Sequence, residues 1–126
     1  MEKEFVTYEQ AVDLKELGFD EPCFGYYNID PQLKTPAFNM VKPFEHEWCL
    51  PAPLKQQAFR WFREKYGLEG VTQKADSIFN WYKYCIWRYT DDGKVRIENA
   101  FDMEIKSYEE AEQACLDKLI EIVKTK

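Results

Sequence analysis

The sequence of 126 residues contains one histidine, two serines and five scattered glycines. Scattered glycines exclude a glycine-rich loop around a phosphate, and no serine lies in the G-x-S-x-G pattern of a hydrolase. No segment approaches the roughly 18 apolar residues of a membrane-spanning helix, and no signal-peptide pattern follows Met1. We therefore expect a cytoplasmic protein with no membrane partner.

Cysteine and histidine are too sparse to form a recognisable metal or nucleophile site. The four cysteines are far apart and include no C-x-x-C pair, which favours reduced thiols over disulfides: Cys23, Cys49, Cys85 and Cys115. His46 precedes Cys49 by three residues, but no further metal ligand and no orienting group accompany them. A polar histidine beside a packed cysteine is the favoured interpretation, with a Cys49/His46 hydrolase as the remote alternative. The sequence predicts no enzyme, no metal and no cofactor.

Acidic and aromatic residues are plentiful instead. The net charge of −6 argues against binding nucleic acid through a general basic field, and aromatic residues make up 17% of the chain. Such an apolar content excludes a disordered acidic tail and predicts a packed core. The charge is uneven, because residues 51–94 contain 8 basic and 5 acidic side chains.

Three helices are predicted from their end signals. Thr7 and Gln10 form a capping box before a helix that ends at Gly18, with Phe19 packing back on its last turn. A second helix has Pro53 at its first position and ends at Gly67. The third begins after Ser107, in a second capping box, and runs to about residue 124. Its predicted buried stripe consists of Tyr108, Ala111, Cys115, Leu119 and Ile122.

Strand signals lie between the last two helices. Residues 77–89 are rich in β-formers, Asp92-Gly93 is a hairpin signal, and return strands are predicted at 95–98 and 101–105. All six prolines lie between residues 22 and 53. We therefore predict an irregular segment at about 28–52, with short strands at 23–27 and 38–41.

The order of these elements predicts the fold class. It is α+β in one domain spanning residues 1–126, with an antiparallel sheet of three to four strands and helices packed on one face. The approximate order is α-β-α-β-β-β-α. Either a monomer or a homodimer is compatible with this arrangement.

The second predicted helix offers a candidate site. Lys55, Arg60 and Arg63 are cations beside several aromatic residues, a combination that binds nucleotides or single-stranded nucleic acid by charge and stacking. Sequestration of a small signalling nucleotide is one version of this function. The alternative is an ordinary solvated helix face, which the negative net charge favours.

The aromatic strand offers another candidate site. Tyr82 and Tyr84 lie on one face, and if helices cover only the other face, these tyrosines form an exposed patch for a partner. The alternative is a central strand that is covered on both sides. The two alternatives have equal weight from the sequence.

Three segments together resemble a group of short uncharacterised proteins encoded in bacteriophage and prophage genomes. They are Leu14-Lys15-Glu16-Leu17-Gly18-Phe19-Asp20-Glu21-Pro22-Cys23-Phe24, Ala58-Phe59-Arg60-Trp61-Phe62-Arg63-Glu64-Lys65-Tyr66-Gly67-Leu68 and Ser107-Tyr108-Glu109-Glu110-Ala111-Glu112-Gln113-Ala114-Cys115-Leu116. The resemblance implies a small accessory protein in the cytoplasm of a bacterial host, and no activity. We therefore expect a non-catalytic module that binds a host or phage protein, with a nucleotide or single-stranded nucleic acid as the alternative ligand.

Overall fold

A computed structural model describes residues 2–28, 30–35, 50–74, 81–90, 92–99 and 105–125. The fold is α+β, with antiparallel sheets, as the sequence predicts. A short 3₁₀ helix at Glu2–Glu4 precedes the other elements. In chain order these are α1 (Tyr8–Glu16), β1 (Gly25–Tyr27), β2 (Leu33–Lys34), β3 (Leu50–Ala52), α2 (Lys55–Tyr66), β4 (Leu68–Lys74), β5 (Tyr82–Thr90), β6 (Gly93–Asn99) and α3 (Tyr108–Lys124).

The chain divides into two compact units, which comprise residues 1–58 and residues 59–126. The first unit contains a three-stranded antiparallel sheet in the order β2-β1-β3. The second contains another in the order β4-β5-β6. Each sheet has its helix: α1 packs against β3, and α3 packs against β4 and β5.

Helix α1 begins and ends as its sequence predicts. The Thr7 hydroxyl accepts a hydrogen bond from the Gln10 N–H, and the Gln10 side chain accepts one from the Thr7 N–H. At the other end Gly18 has a φ of 96°, and the Phe19 N–H donates to the Leu14 carbonyl at 2.9 Å. This Schellman motif satisfies carbonyls that the helix itself leaves without donors.

The other two helices follow the same end chemistry with one correction. Helix α2 begins at Lys55 and not at Pro53, because the Pro53 carbonyl accepts the Val6 N–H and the first helical acceptor is the Leu54 carbonyl. Gly67, with a φ of 66°, ends α2 as predicted. Helix α3 is capped by the Ser107 hydroxyl, which accepts the Glu110 N–H.

The first unit is built around a buried N-terminal segment. Phe5 forms an isolated antiparallel bridge with Leu54, and Val6 is fully buried. Gly25 in β1 lies against the Phe5 ring so closely that a β-carbon there would be 2.8 Å from a ring carbon. The Tyr27 hydroxyl donates to the Val6 carbonyl at 2.7 Å. The first sheet is thereby fixed to the start of the chain.

In the second unit, α3 covers one face of the sheet. Gly70 in β4 lies opposite Ile86 in β5, and a β-carbon at Gly70 would lie 2.7 Å from the Cys115 sulfur of α3. Cross-strand partners share a face, as do alternate residues of one strand. Tyr82, Tyr84 and Ile86 therefore belong to the face that α3 covers.

The strands differ from the prediction in two respects. Strands β2 and β3 lie in the segment 28–52 that was predicted to be irregular. Strand β4 follows α2 directly and was not predicted, while β5 and β6 correspond to the strands expected at 77–89 and 95–98. Of the strand expected at 101–105, Ile105 forms an isolated bridge with Tyr82. Residues 38–41, 77–80 and 101–104 lie outside the described residues.

Candidate functional site

Two of the five predicted site residues are buried and so are unavailable to a ligand. Lys55 is 4% exposed in the first turn of α2, next to the buried residues 51–53. Tyr84 is 6% exposed because its face of β5 lies under α3. Cys85, on the other face of β5, is also buried. The central strand is thus covered on both sides at this point, which is the second of the two alternatives that the sequence left open for Tyr84.

The two predicted arginines are exposed, but the rings beside them are not. Arg60 and Arg63 are exposed on α2, whereas Trp61 and Phe62 are buried and contact each other edge to face at 5.1 Å. The Lys65 ammonium lies 5.0 Å from the centre of the Trp61 ring. The arginines therefore offer charge without the stacking surface that a base requires.

Tyr82 is half-buried and contacts the first residue of α3. Its ring contacts the Tyr108 ring at 6.1 Å and 89°, and its N–H donates to the Ile105 carbonyl at 2.8 Å. Tyr108 itself is 41% exposed, although the helical pattern predicted that it is buried. As the first residue of α3, it projects past the edge of the covered face. Ile122, near the other end of the stripe, is only half-buried.

The described thiols are unsuited to nucleophilic chemistry. Cys23, Cys85 and Cys115 are buried, and no disulfide joins them to one another. Burial, with a smaller effect of the Glu21 carboxylate, raises the pKa of the Cys23 thiol to about 12. Burial, with smaller effects of Cys85 and Glu112, raises the pKa of the Cys115 thiol to about 12. A thiol of such high pKa remains protonated and is a weak nucleophile at neutral pH. His46 and Cys49 lie outside the described residues.

A site that the sequence did not indicate lies in the bend before β1. Phe24 is 53% exposed, the highest exposed fraction among the described large apolar side chains, yet its neighbours Cys23 and Gly25 are buried. The Gln57 side chain donates to the Pro22 carbonyl at 2.9 Å and to the Glu21 carboxylate at 3.2 Å. The Phe24 ring thus projects from a backbone that is held on both sides.

Acidic side chains precede Phe24 in the sequence and are numerous in its unit. Asp20 is exposed and Glu21 half-exposed immediately before the bend, and α1 adds the exposed Glu9 and Glu16. Residues 1–58 contain 5 basic and 10 acidic side chains, a net charge of −5. Phe24 therefore belongs to a unit of net negative charge, which favours a positively charged partner.

A groove of about 520 Å³ opens at the other end of β1. It is lined by Tyr27, Pro31, Gln32, Leu33 and Lys34. The turn below it is fixed by two hydrogen bonds between Asn28 and Gln32. Among the described lining residues, Lys34 is the one that carries a charge.

No protein-family profile, no curated protein and no solved structure matches this chain. Within the described residues, no group of three or more His, Cys, Asp and Glu side chains is placed to hold a metal ion. Across that same part of the chain, no helix combines the length and apolar character needed to cross a bilayer.

Proposed function

We propose that this chain is a non-catalytic accessory protein of phage type that binds a host or phage protein in the bacterial cytoplasm. We further propose that Phe24 is the apolar anchor of this contact. The observation that supports the proposal is the exposed ring of Phe24 on a bend whose flanking residues are buried. The resemblance of three sequence segments to phage-encoded proteins supports the biological setting.

The geometry of the bend suits an anchor residue. Large rings that enter a partner's pocket account for much of the binding energy of protein interfaces. Because Gln57 holds the Pro22 carbonyl and Gly25 packs against Phe5, the ring enters such a pocket with little further loss of backbone entropy. Asp20 favours a partner whose apolar pocket has a basic rim.

The experiment places a photoreactive phenylalanine analogue at position 24 and irradiates the protein in infected host lysate. The partner that becomes crosslinked is then purified, and its affinity is measured with and without Phe24→Ala. We expect this variant to weaken binding at least about tenfold with no loss of stability, because the ring is exposed. Asp20→Asn should weaken binding less, and its effect should disappear in high salt.

Two control variants make the result specific. Tyr108→Ala removes a similarly exposed ring from the second unit and should leave binding unchanged. Gln57→Ala retains Phe24 but removes the two hydrogen bonds that hold the bend, so we expect an intermediate loss. Equal binding by Phe24→Ala and the unmodified protein would contradict the proposal, as would an equal loss in Tyr108→Ala.

A second candidate function is the binding of a nucleotide or single-stranded nucleic acid. It is supported by the exposure of Arg60 and Arg63 on α2. Fluorescence anisotropy with labelled oligonucleotides and a nucleotide panel, at low and raised salt, tests it. Binding should be lost in the double variant Arg60→Gln/Arg63→Gln and retained in Lys118→Gln, while no binding at either salt concentration rejects this function.

A further inference from the structure

Among the described strands, β4 lies at the edge of its sheet. It lacks most of the features by which proteins prevent an edge strand from pairing with another chain. Its seven residues pair with β5 on one side, and no other described strand pairs with it. Natural proteins prevent such pairing with a short edge strand, a proline, a bulge or a charged side chain that points inward. Residues 68–74 include no proline, and the register with β5 is continuous from Leu68 to Lys74.

The other described edges carry such features. Strand β2 has two residues, and β3 has three residues including Pro51. The register of β6 with β5 shifts between Ile86 and Trp87, so this strand pair contains an irregularity. Within the described residues, β4 is therefore the long edge best suited to pairing with another strand.

A separate observation concerns Glu69 in the same strand. One of its carboxylate oxygens, Oε2, is buried and has no hydrogen-bond partner among the residues that the structure describes. Glu69 adjoins Gly70, which faces α3, so Glu69 belongs to the opposite face of the sheet. A carboxylate oxygen without a donor is costly, and this cost is removed when a donor is supplied nearby.

We propose that β4 pairs with β4 of a second copy of this chain, antiparallel and about a two-fold axis at Val71. Val71 is the middle residue of the seven in β4, so it lies opposite Val71 of the second copy. Gly70 then lies opposite Thr72 of the second copy. Glu69 then lies opposite Gln73 of the second copy. The β4-β5-β6 sheets of the two copies then form one six-stranded sheet. The contact is self-complementary, as a two-fold interface requires.

The register supplies the missing donor to Glu69. Directly opposite residues in an antiparallel pair share a face, so the Gln73 amide of the second copy lies beside the Glu69 carboxylate. Gln73 is exposed in the single chain and is free to make this contact by a change of side-chain rotamer. The last torsion of a glutamate is broad, so the carboxyl turns to bring an oxygen to the amide. Symmetry makes this hydrogen bond twice, and no two like charges lie opposite each other.

The first test is the mass in solution by sedimentation equilibrium, for which we expect twice 15.1 kDa. Val71→Lys places two like charges at the two-fold axis, so the dimer dissociation constant should rise at least about a hundredfold. Circular dichroism checks that this variant keeps its fold, because Val71 is half-buried and lies opposite the buried Cys85 of its own sheet. A wild-type protein that stays monomeric at its highest soluble concentration overturns the proposal.

Charge variants test the register. Gln73→Glu should weaken the dimer, most strongly at low salt, because position 73 faces Glu69 of the second copy. The double variant Glu69→Lys/Gln73→Glu should restore dimerisation. A dimer that none of these variants affects forms through another surface and overturns the proposal.

Crosslinking provides an independent test of the axis. In a Cys49→Ser background, Val71→Cys should form a disulfide between copies, because residues directly opposite in a strand pair are within disulfide reach. Thr72→Cys should not form this disulfide, because Thr72 lies opposite Gly70 of the second copy and not opposite Thr72. Preferential crosslinking at position 72, or binding of an unrelated extended peptide to β4 in a monomeric protein, would contradict the proposed self-pairing.

Discussion

The hydroxyl of Tyr27 donates a 2.7 Å hydrogen bond to the carbonyl oxygen of Val6, twenty-one residues earlier in the chain. Val6 is fully buried, and its N–H donates to the Pro53 carbonyl at 3.1 Å. Both polar groups of the Val6 backbone are therefore satisfied by residues far away in the sequence. The hydrogen bond from Tyr27 is thus part of what holds the first unit together.

Removal of this hydroxyl should destabilise the protein. Tyr27→Phe leaves the buried Val6 carbonyl without this donor and should lower the free energy of unfolding by about 1–2 kcal/mol. Urea denaturation measures the change. Tyr8→Phe is the matched control, because Tyr8 is the exposed ring that contacts Tyr27, and it should change the free energy by less than about 0.5 kcal/mol. Equal effects of the two variants would mean that the hydrogen bond is unimportant.

Gly70 lies where α3 passes close to its sheet. A β-carbon there would lie 2.7 Å from the Cys115 sulfur and 3.1 Å from both Leu119 and Phe59. Gly70→Ala should therefore lower the free energy of unfolding by about 1–3 kcal/mol. The double variant with Cys115→Ala should recover part of this loss, since the sulfur makes the closest contact. Simple additivity of the two substitutions, measured by the same denaturation, would argue against the steric explanation.

The end of α1 depends on the left-handed conformation of Gly18. Because its φ is 96°, Gly18→Ala should cost about 1–2 kcal/mol in the free energy of unfolding. Thermal denaturation provides the measurement. Lys15→Ala, at an exposed position of the same helix, should be nearly neutral. If both variants unfold at the same temperature, the Schellman motif contributes little to stability.

The buried thiols should make the protein less stable in alkaline solution. The pKa of Cys23 and of Cys115 rises on folding from 9.0 to about 12. Their stabilising contribution is complete below pH 9 and is lost as the pH rises from 9 towards 12, because the unfolded chain releases protons that the folded chain retains. Each thiol should reduce the free energy of unfolding by up to about 1.4 kcal/mol per pH unit in this range.

This dependence is measured by urea denaturation from about pH 8 to about pH 10.5 in a Cys49→Ser background. Cys115→Ala should show a shallower decline than the parent, because one of the two thiols no longer titrates. The difference between the two curves removes the contribution of lysine and tyrosine residues. Parallel curves would contradict the effect assigned to Cys115.

Local chemistry explains what was predictable from the sequence. The start of α1 at Thr7, its end at Gly18 and the N-cap of α3 at Ser107 depend on hydrogen bonds between residues a few positions apart. Residues that share such bonds are visible together in the sequence. The α+β class also followed, because helical and alternating periods occupy separate parts of the chain.

Long-range packing explains what was missed. Strand β4 contains Glu69, Gly70 and Gln73, which are poor β-formers, and it gains its structure from pairing with β5 and from α3. The burial of Tyr84 depends on which face α3 covers, and a period of two cannot choose between faces. Nothing in the sequence distinguished Phe24 from the other aromatic residues, because its exposure depends on how the neighbouring Cys23 and Gly25 pack.

Tyr8 and Tyr108 each occupy the first position of a helix and contact a strand tyrosine nearly at right angles. The Tyr8–Tyr27 rings are 5.6 Å apart at 85°, and the Tyr82–Tyr108 rings 6.1 Å apart at 89°. Fixed perpendicular rings generate near-ultraviolet circular dichroism, so each unit carries its own optical reporter. Because both pairs absorb at the same wavelengths, variants that lack Tyr8 or Tyr108 are compared to separate the two signals. The signal lost first on heating would then reveal which half of the chain melts first.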